Sequence, residues 1–268
     1  MPELDIEFHD NRVSMKHWWP RLEAVDVPTP DTVLVPVEPD EEGPIPIKWN
    51  TEELSDAMEN FSSESAFLRT GRKSARFINE GSKIGLNHPE AIDETVMNLL
   101  LQMSDMDFLT TVLAIREWLD IEVYAENSLN KISPEVRFFI DDSEVLCWHL
   151  RDVDADFSSL DESAEEILDQ MRDDIVDEIP VLQDYAERVA QEFTGGWSVD
   201  FIKTESDGWY CTDMAPYGLY YSKIVDDGTG EWKSLSAHES GCKHNLEENL
   251  PSELPETPQN PREGRRFF

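Results

Sequence analysis

Residues 199–216 are VDFIKTESDGWYCTDMAP, two short apolar segments on either side of Ser206-Asp207-Gly208. Apolar segments that flank polar turn residues are typical of a β-hairpin. Each segment carries one aspartate, Asp200 or Asp213. A core-facing strand residue is seldom charged unless it is paired or binds a cation, and paired aspartates supply the hard oxygen ligands that Mg²⁺ prefers. The alternative is that either aspartate faces water on the open side of the sheet.

Upstream of this hairpin, the spacing of apolar residues predicts an α+β chain with antiparallel sheets. The predicted order is strand, helix, strand, helix, strand, hairpin, helix, hairpin. The long helical segment 160–193 is expected to break at Pro180, and Asp141-Asp142 is expected to form the first hairpin turn. The other predicted strands are 27–35, 65–70 and 109–119, and the other predicted helices are 50–61 and 88–106.

The 268-residue chain is strongly acidic, with 58 Asp and Glu against 22 Lys and Arg and a formal net charge of -36. One interpretation is adaptation to strong brine, in which surface carboxylates keep a protein hydrated. The others are an acidic decoy that mimics nucleic acid, and an ordinary acidic protein. The same charge disfavours unaided binding to nucleic acid or anionic lipid.

The sequence indicates a cytoplasmic protein with no membrane partner. No apolar run approaches the roughly 20 residues that span a bilayer, and the acidic start MPELDIEFHDNR lacks the features of a secretory signal. The three cysteines, Cys147, Cys211 and Cys242, are too few and odd in number for a disulfide framework.

Residues 69–76, RTGRKSAR, contain four of the chain's 22 basic side chains. Such a positive segment in an acidic chain should attract an anion, and Ser74 lies in a loop suited to close approach by phosphates. The alternative is local charge balance against neighbouring carboxylates.

Two further strand segments combine charged and apolar residues. Residues 113–120, LAIREWLD, fit the rim of a purine pocket or a strand that simply ends in solvent. Glu135 and Arg137 lie two apart on a predicted strand and therefore share a face. They can serve ribose hydroxyls and a phosphate, or they can form an ordinary surface ion pair.

Together these segments resemble the ATP-grasp superfamily in type and order. VPTPDT is similar to the Pro-rich segment that opens many ATP-grasp domains, and SAFLRT to the strand that usually carries a nucleotide-contacting lysine. AIREWLDI resembles the adenine-binding linker, EVRFF the glutamate-arginine strand, and VDF with CTDMAP the paired metal-binding strands. The resemblance covers about residues 15–225. It is to the short members without a full N-terminal domain, such as the eukaryotic translation-initiation-factor assembly factors and uncharacterised archaeal and viral homologues.

The resemblance implies two α+β subdomains with antiparallel sheets that clasp a nucleotide. Residues 1–108 would form the N-terminal segment and first subdomain, and residues 109–242 the second. The composition of residues 243–268, which are acidic and rich in proline, predicts a mobile tail.

The resemblance also implies a Mg–ATP site. Its residues would be Lys16, Arg69, Ser74 and Arg76 at the phosphates, Glu117, Trp118 and Leu119 around adenine, Glu135 at the ribose, Arg137 at the transferred phosphate, and Asp200 and Asp213 on Mg²⁺. Arg137 and Arg76 would be the catalytic charges.

The resemblance implies a ligase that forms carbon–nitrogen bonds through an acyl phosphate, with ATP and an unidentified small-molecule, peptide or protein acceptor. Two positions depart from the family pattern: Arg69 stands where many members have lysine, and Ala215 stands where they have a metal-binding asparagine. The missing asparagine favours an alternative, a non-catalytic ATP-dependent binding or assembly factor of the same fold. An acidic interaction protein or nucleic-acid mimic that uses no ATP is the alternative from another class.

Overall fold

The structure is a computed structural model that describes residues 14–39, 47–59, 61, 63–71, 82–85, 91–105, 111–126, 131–150, 164–206 and 208–216. The chain divides into two compact units. Unit 1 contains Met1–Ala24 and Thr29–Asp120, and unit 2 contains Val25–Pro28 and Ile121–Phe268.

Unit 1 is built on a four-stranded antiparallel sheet with the strand order β1-β6-β4-β5. A separate short ladder joins β2 and β3. The elements are α1 (Met15–Glu23), β1 (Thr32–Pro36), β2 (Glu38–Pro39), β3 (Ile47–Lys48), α2 (Thr51–Met58), β4 (Ser65–Thr70), β5 (Lys83–Gly85), α3 (Ile92–Asp105) and β6 (Val112–Glu117).

One face of this sheet packs against α2 and α3. Leu54 and Leu99 from the helices join Leu68 and Ile115 from the sheet in one buried apolar cluster. Helix α2 begins where the Asn50 side chain accepts hydrogen bonds from two backbone N–H groups of the first turn, and this cap satisfies donors that have no partner within the helix.

Helix α1 was not expected from the sequence, which predicted no helix within residues 1–25. Pro20 lies inside it and has no N–H to donate, which weakens the local helix signal. Met15, Trp18, Trp19 and Leu22 nevertheless follow the helical repeat and are all buried. Tertiary packing of this apolar face therefore stabilises a helix that its local sequence does not favour.

Unit 2 is built on a second four-stranded antiparallel sheet, with the strand order β10-β9-β11-β12. Its elements are β7 (Ala125–Glu126), β8 (Lys131–Ile132), β9 (Glu135–Asp141), β10 (Glu144–Leu150), α4 (Ala164–Ile175), a 3-10 turn (Val176–Glu178), α5 (Ile179–Glu192), β11 (Trp197–Lys203) and β12 (Trp209–Pro216).

Helix α5 covers one face of the unit 2 sheet. The rings of Tyr185 and Phe201 are 6.1 Å apart between centroids, and those of Phe193 and Trp197 are 5.3 Å apart. Phe138 packs edge-on against Phe201 on the same side. Because successive strand residues point to opposite faces, the residues that alternate with these aromatic side chains lie on the face away from α5.

The α+β class with antiparallel sheets is confirmed, and so are both hairpins. The helical break is confirmed as well, because α5 starts at Ile179 with Pro180 in its first turn, where the missing N–H costs no helical bond. The first hairpin turn is one residue later than expected, at Asp142 and Ser143 with φ angles of 41° and 77°. A two-residue hairpin turn with both central φ angles positive matches the twist of its strands.

The expected subdomain boundary after residue 108 differs from the division of the structure. Strand β6 follows that boundary, yet it pairs with β1 and β4 and so belongs to unit 1. The expected tail, residues 243–268, lies outside the described residues.

Within the part of the chain that the structure describes, no helix is both long and apolar enough to cross a membrane.

Candidate functional site

A row of three charged residues crosses the unit 2 sheet on the face away from α5. Arg137 of β9 lies opposite Asp200 of β11, and Asp200 lies opposite Asp213 of β12. Directly opposed residues place their Cβ atoms about 4.5–5.5 Å apart. Three adjacent strands therefore bring one guanidinium and two carboxylates together, including both aspartates predicted from the sequence.

Arg137 and Asp200 form a two-pronged ion pair. Arg137 Nε donates to Asp200 Oδ1 at 2.6 Å, and Nη2 donates to Oδ2 at 2.6 Å. Their side chains are only 3% and 2% exposed. A buried ion pair is often no more stabilising than apolar side chains of the same volume, so stability alone does not account for it.

Asp213 is the half-buried member of the row. Its Oδ1 accepts a hydrogen bond from Met214 N at 3.0 Å. A β-bulge interrupts the β11–β12 register between Asp200 and Phe201. Thr212 is the extra residue of β12 at this irregularity, directly beside Asp213.

The row fits the chemistry of Mg²⁺ with a limited number of protein ligands. Asp200 and Asp213 supply hard oxygen donors, while the methyl group of Ala215 supplies none. Among the described residues, no group of three or more His, Cys, Asp or Glu side chains could hold a metal ion. Mg²⁺ commonly binds one or two carboxylates and completes its shell with water and substrate phosphates, so two carboxylates are sufficient.

Unit 1 also places charged residues on the face of its sheet away from α2 and α3. Arg69 is 2% exposed, and its Nε donates to Thr70 O at 3.2 Å. In the register it lies opposite Ala114, two residues from Arg116. Arg69 and Arg116 are thus diagonal neighbours on one face, with Cα atoms about 7–8 Å apart.

Arg116 was not among the residues predicted from the sequence. It is 4% exposed, and its guanidinium lies 4.2 Å from the ring centroid of Trp19. Its Nη2 also contacts Met15 Sδ at 3.7 Å. A charged residue at an otherwise apolar strand position was the available signal, but its aromatic partner lies on the helix that the sequence did not predict.

The end of β6 and the residue that follows it are tied to their neighbours by hydrogen bonds. Glu117 N donates to Asp31 O at 2.9 Å, and Asp31 N donates back to Glu117 Oε1 at 3.0 Å. Trp118 N donates to Ser65 O at 3.2 Å, and its ring lies 4.2 Å from Lys83 Nζ. This segment is therefore held firmly, with the indole beside an exposed cation.

No family model matches the sequence, and no curated protein matches it. Solved structures match it in fold. An ATP-grasp ligase, PsnB, complexed with a minimal precursor is similar with a TM-score of 0.41 and 12% identity, over 78% of this chain and 53% of that chain. Cdc123 from Schizosaccharomyces pombe is similar with a TM-score of 0.48 and 14% identity, over 78% and 85%.

D-alanine–D-alanine ligase from Bacillus anthracis, solved with ATP, is similar with a TM-score of 0.41 and 13% identity, over 76% of this chain and 55% of that chain. This chain thus spans about half the length of the two ligases. Each of these similarities is one of fold.

The remaining predicted site residues differ in burial, and two of them cannot be placed. Glu135 is half-buried on the face of Arg137 and lies opposite Ile202. Leu119 is half-buried after β6, and Lys16 is exposed in the first turn of α1. Ser74 and Arg76 lie outside the described residues.

A second charged cluster in unit 2 was not predicted. Lys203 Nζ lies 2.8 Å from Glu178 Oε1 and 3.4 Å from Glu122 Oε2. Trp209 Nε1 donates to the other Glu178 oxygen at 2.6 Å. Burial alone would lower the pKa of Lys203, but the hydrogen bond to Glu178 and the charges of both glutamates raise it above its ordinary value. The cluster fastens the 3-10 turn to the sheet.

Tyr124 forms a further link in unit 2. Its hydroxyl donates to Asp174 Oδ2 at 2.9 Å. Burial, followed by the hydrogen bond to Asp174 and the nearby carboxylates, raises the pKa of Tyr124 well above its usual range. The phenol therefore stays protonated and acts as a fixed donor between the 121–126 segment and α4.

Proposed function

We propose that the chain binds Mg–ATP and that Arg137, Asp200 and Asp213 form the phosphate- and metal-binding part of the site. The observation that carries the proposal is the row itself, because an arginine fork and two carboxylates converge on one sheet face. A planar guanidinium suits a phosphate, and paired carboxylates suit Mg²⁺. The ATP-grasp-like order of the sequence motifs supports the same assignment.

For unit 1, taken by itself, we propose the roles that the sequence motifs imply. Arg69 is assigned to a phosphate, and the backbone of Leu119 to the adenine edge. The support for Leu119 is that the N–H groups of Glu117 and Trp118 are already bonded to Asp31 and Ser65. We assign no role to Lys16 beyond its sequence-based prediction.

The proposed activity is ATP-dependent formation of a carbon–nitrogen bond through an acyl phosphate. Bound Mg²⁺ would neutralise charge on the transferred phosphoryl group. Arg137 would hold that group and stabilise its developing charge, and no side-chain nucleophile is needed. The protein contributes positioning and electrostatics.

A non-catalytic ATP-dependent binding or assembly factor is the second candidate. The observation that favours it is the short set of metal ligands, with Ala215 where an amide oxygen would complete the site. The two candidates differ in ADP release when amino-acid or peptide acceptors are supplied. If Ala215→Asn tightens Mg–ATP binding and raises ADP release, the missing ligand limits turnover; if it tightens binding alone, the assembly factor is favoured.

Calorimetric titration with Mg–ATP, in KCl concentrations up to the molar range, tests the proposal. We expect saturable binding to the wild type and binding about tenfold or more weaker for Asp213→Asn, because a metal ligand is lost. Asp173→Asn, which changes an exposed carboxylate on α4, is the matched control and should bind as the wild type does. Absence of binding at every salt concentration where the protein is folded would overturn the proposal and favour an acidic interaction protein.

A further inference from the structure

We propose that Arg137 controls access of a divalent cation to Asp200, so that the cation binds well only when an anion draws the guanidinium away. The inference rests on the proposed function, because it assigns the order of events at the same site. It concerns residues of unit 2 alone.

Both carboxylate oxygens of Asp200 already accept hydrogen bonds from Arg137. Each lies 2.6 Å from a nitrogen of the Arg137 guanidinium. A cation that binds Asp200 in this arrangement would lie beside a fixed positive charge, and the pair is too buried for water to screen the repulsion strongly. The closed ion pair therefore weakens cation binding.

Asp200 is difficult to replace as a ligand of the divalent cation. Asp213 is the other carboxylate of the row, and Ala215 contributes no side-chain oxygen. With the Arg137–Asp200 pair closed, the three side chains carry one net negative charge. With Arg137 withdrawn, the two carboxylates present two negative charges to a cation.

A phosphate can replace Asp200 as the hydrogen-bond partner of Arg137. A guanidinium fork binds a phosphate in the same two-pronged way as a carboxylate. When a nucleotide phosphate binds, Arg137 can transfer from Asp200 to the phosphate, and Asp200 is released for the cation. One buried ion pair is exchanged for two, and no covalent bond changes.

The consequence is positive coupling between anion and cation. Each ligand strengthens the binding of the other by the same factor, as linkage requires. The cation alone should bind weakly to the wild type, and removal of Arg137 should have opposite effects on the two ligands. Cation affinity should rise, and nucleotide affinity should fall.

The test measures Mn²⁺ binding by calorimetry in the absence of nucleotide. We expect Arg137→Met to bind Mn²⁺ about tenfold or more tightly than the wild type, because a unit positive charge beside the site is removed. Arg172→Met is the matched control: Arg172 pairs with Asp169 at 2.7 Å, but their side chains are 32% and 60% exposed. It makes the same change in net charge and should leave Mn²⁺ affinity unchanged.

Arg137→Lys provides a second variant that keeps the buried positive charge, in case Arg137→Met does not fold. A lysine ammonium is a point charge without the planar fork, so Asp200 should be less fully engaged and Mn²⁺ affinity should rise several-fold. Equal Mn²⁺ affinities for the wild type and the folded Arg137 variants would overturn the inference. An equal gain in Arg172→Met would also overturn it, because surface charge would then be the cause.

The two proposals fail in different ways. If the proposed function is wrong, Mg–ATP does not bind the wild type, whatever the Mn²⁺ affinities are. If the inference alone is wrong, Mg–ATP binds the wild type, and Mn²⁺ binds the wild type and the Arg137 variants equally.

Discussion

Both units bury an arginine in the middle of a sheet, but they surround it differently. In unit 1 the Arg116 guanidinium lies over the Trp19 ring at 4.2 Å and against Met15. In unit 2 the Arg137 guanidinium is held by the two oxygens of Asp200. An indole holds a cation through its π-face without carrying a charge, whereas a carboxylate holds it by opposite charge.

The difference separates an arginine that builds the fold from one suited to exchange partners. The contact between Arg116 and Trp19 ties β6 to α1, and it is packing against an uncharged ring, not an ion pair in which a phosphate could replace a carboxylate. The Arg137–Asp200 pair can be replaced on either side, by a phosphate for the carboxylate or by a metal ion for the guanidinium. For this reason we place function at Arg137 and structure at Arg116.

Removal of one partner of the ion pair should have the largest effect. Asp200→Ala leaves the Arg137 charge buried without this carboxylate, and we expect it to lower the free energy of unfolding by about 3–5 kcal/mol. Urea unfolding followed by circular dichroism measures the loss.

The double variant Arg137→Met with Asp200→Leu provides the control. Because it removes both charges and keeps the volume, it should recover most of the stability that the single variant loses. If Asp200→Ala costs less than 1 kcal/mol, or if the double variant is no more stable than the single one, the pair is not a desolvated ion pair.

Removal of the Arg116 guanidinium from unit 1 should lower the free energy of unfolding by less. Arg116→Met keeps an unbranched side chain on the Trp19 ring but loses the cation–π contact, and we expect a loss of about 2 kcal/mol in urea unfolding. Lys48→Met, at an exposed position of β3, should change stability by less than about 0.5 kcal/mol. A loss as large as that of Asp200→Ala would remove the distinction between the two arginines.

Alkaline pH should weaken the ion pairs of Lys203 but not the ion pair of Arg137. The pKa of Lys203 is raised by Glu178 and Glu122 in the folded protein. Its contribution to stability is therefore complete below the unfolded pKa, about 10.4, and is lost as pH rises through the higher folded value. A guanidinium stays charged over this range, so Arg137 keeps its contact.

The measurement is the unfolding free energy as a function of pH above 9, for the wild type and Lys203→Met. We expect the difference between the two proteins to shrink as pH rises. A difference that stays constant through the alkaline range would show that the Lys203 charge contributes nothing.

The smallest effect is expected at the exposed cation–π contact of unit 1. Lys83 Nζ lies 4.2 Å from the Trp118 ring centroid, and Lys83 is exposed. Lys83→Met should cost about 0.5–1 kcal/mol in urea unfolding, less than Arg116→Met because water competes for the ammonium group. A larger loss than that of Arg116→Met would show that burial does not set the strength of these contacts.

Local signals explain which parts of the fold were predictable. The two hairpins, the helical break at Pro180 and the strand SAFLRT follow from residues close in sequence, and each is confirmed, with the first hairpin turn one residue later than expected. Helix α1 was missed because Pro20 opposes it locally and burial of Trp18 and Trp19 stabilises it from a distance.

The site was predictable in composition but not in pairing. Asp200, Asp213 and Arg137 stand out as charged residues in apolar strands, and each was singled out. The ion pair between Arg137 and Asp200 forms because β9 lies beside β11, which pairs residues 63 positions apart in the sequence. Strand order of this kind is set by the whole sheet, so the ion pair became visible only in the structure.

The most direct test of the account is a thermal melt in a KCl series, with and without Mg–ATP, of the wild type, Asp213→Asn and Asp173→Asn. At about 100 times Kd, bound nucleotide should add roughly 2.7 kcal/mol to the stability of the folded state. We expect a clear rise in Tm for the wild type and Asp173→Asn, and little or none for Asp213→Asn. Equal rises in all three proteins, or no rise in a folded wild type, would contradict the assignment of the Arg137–Asp200–Asp213 row as the nucleotide site.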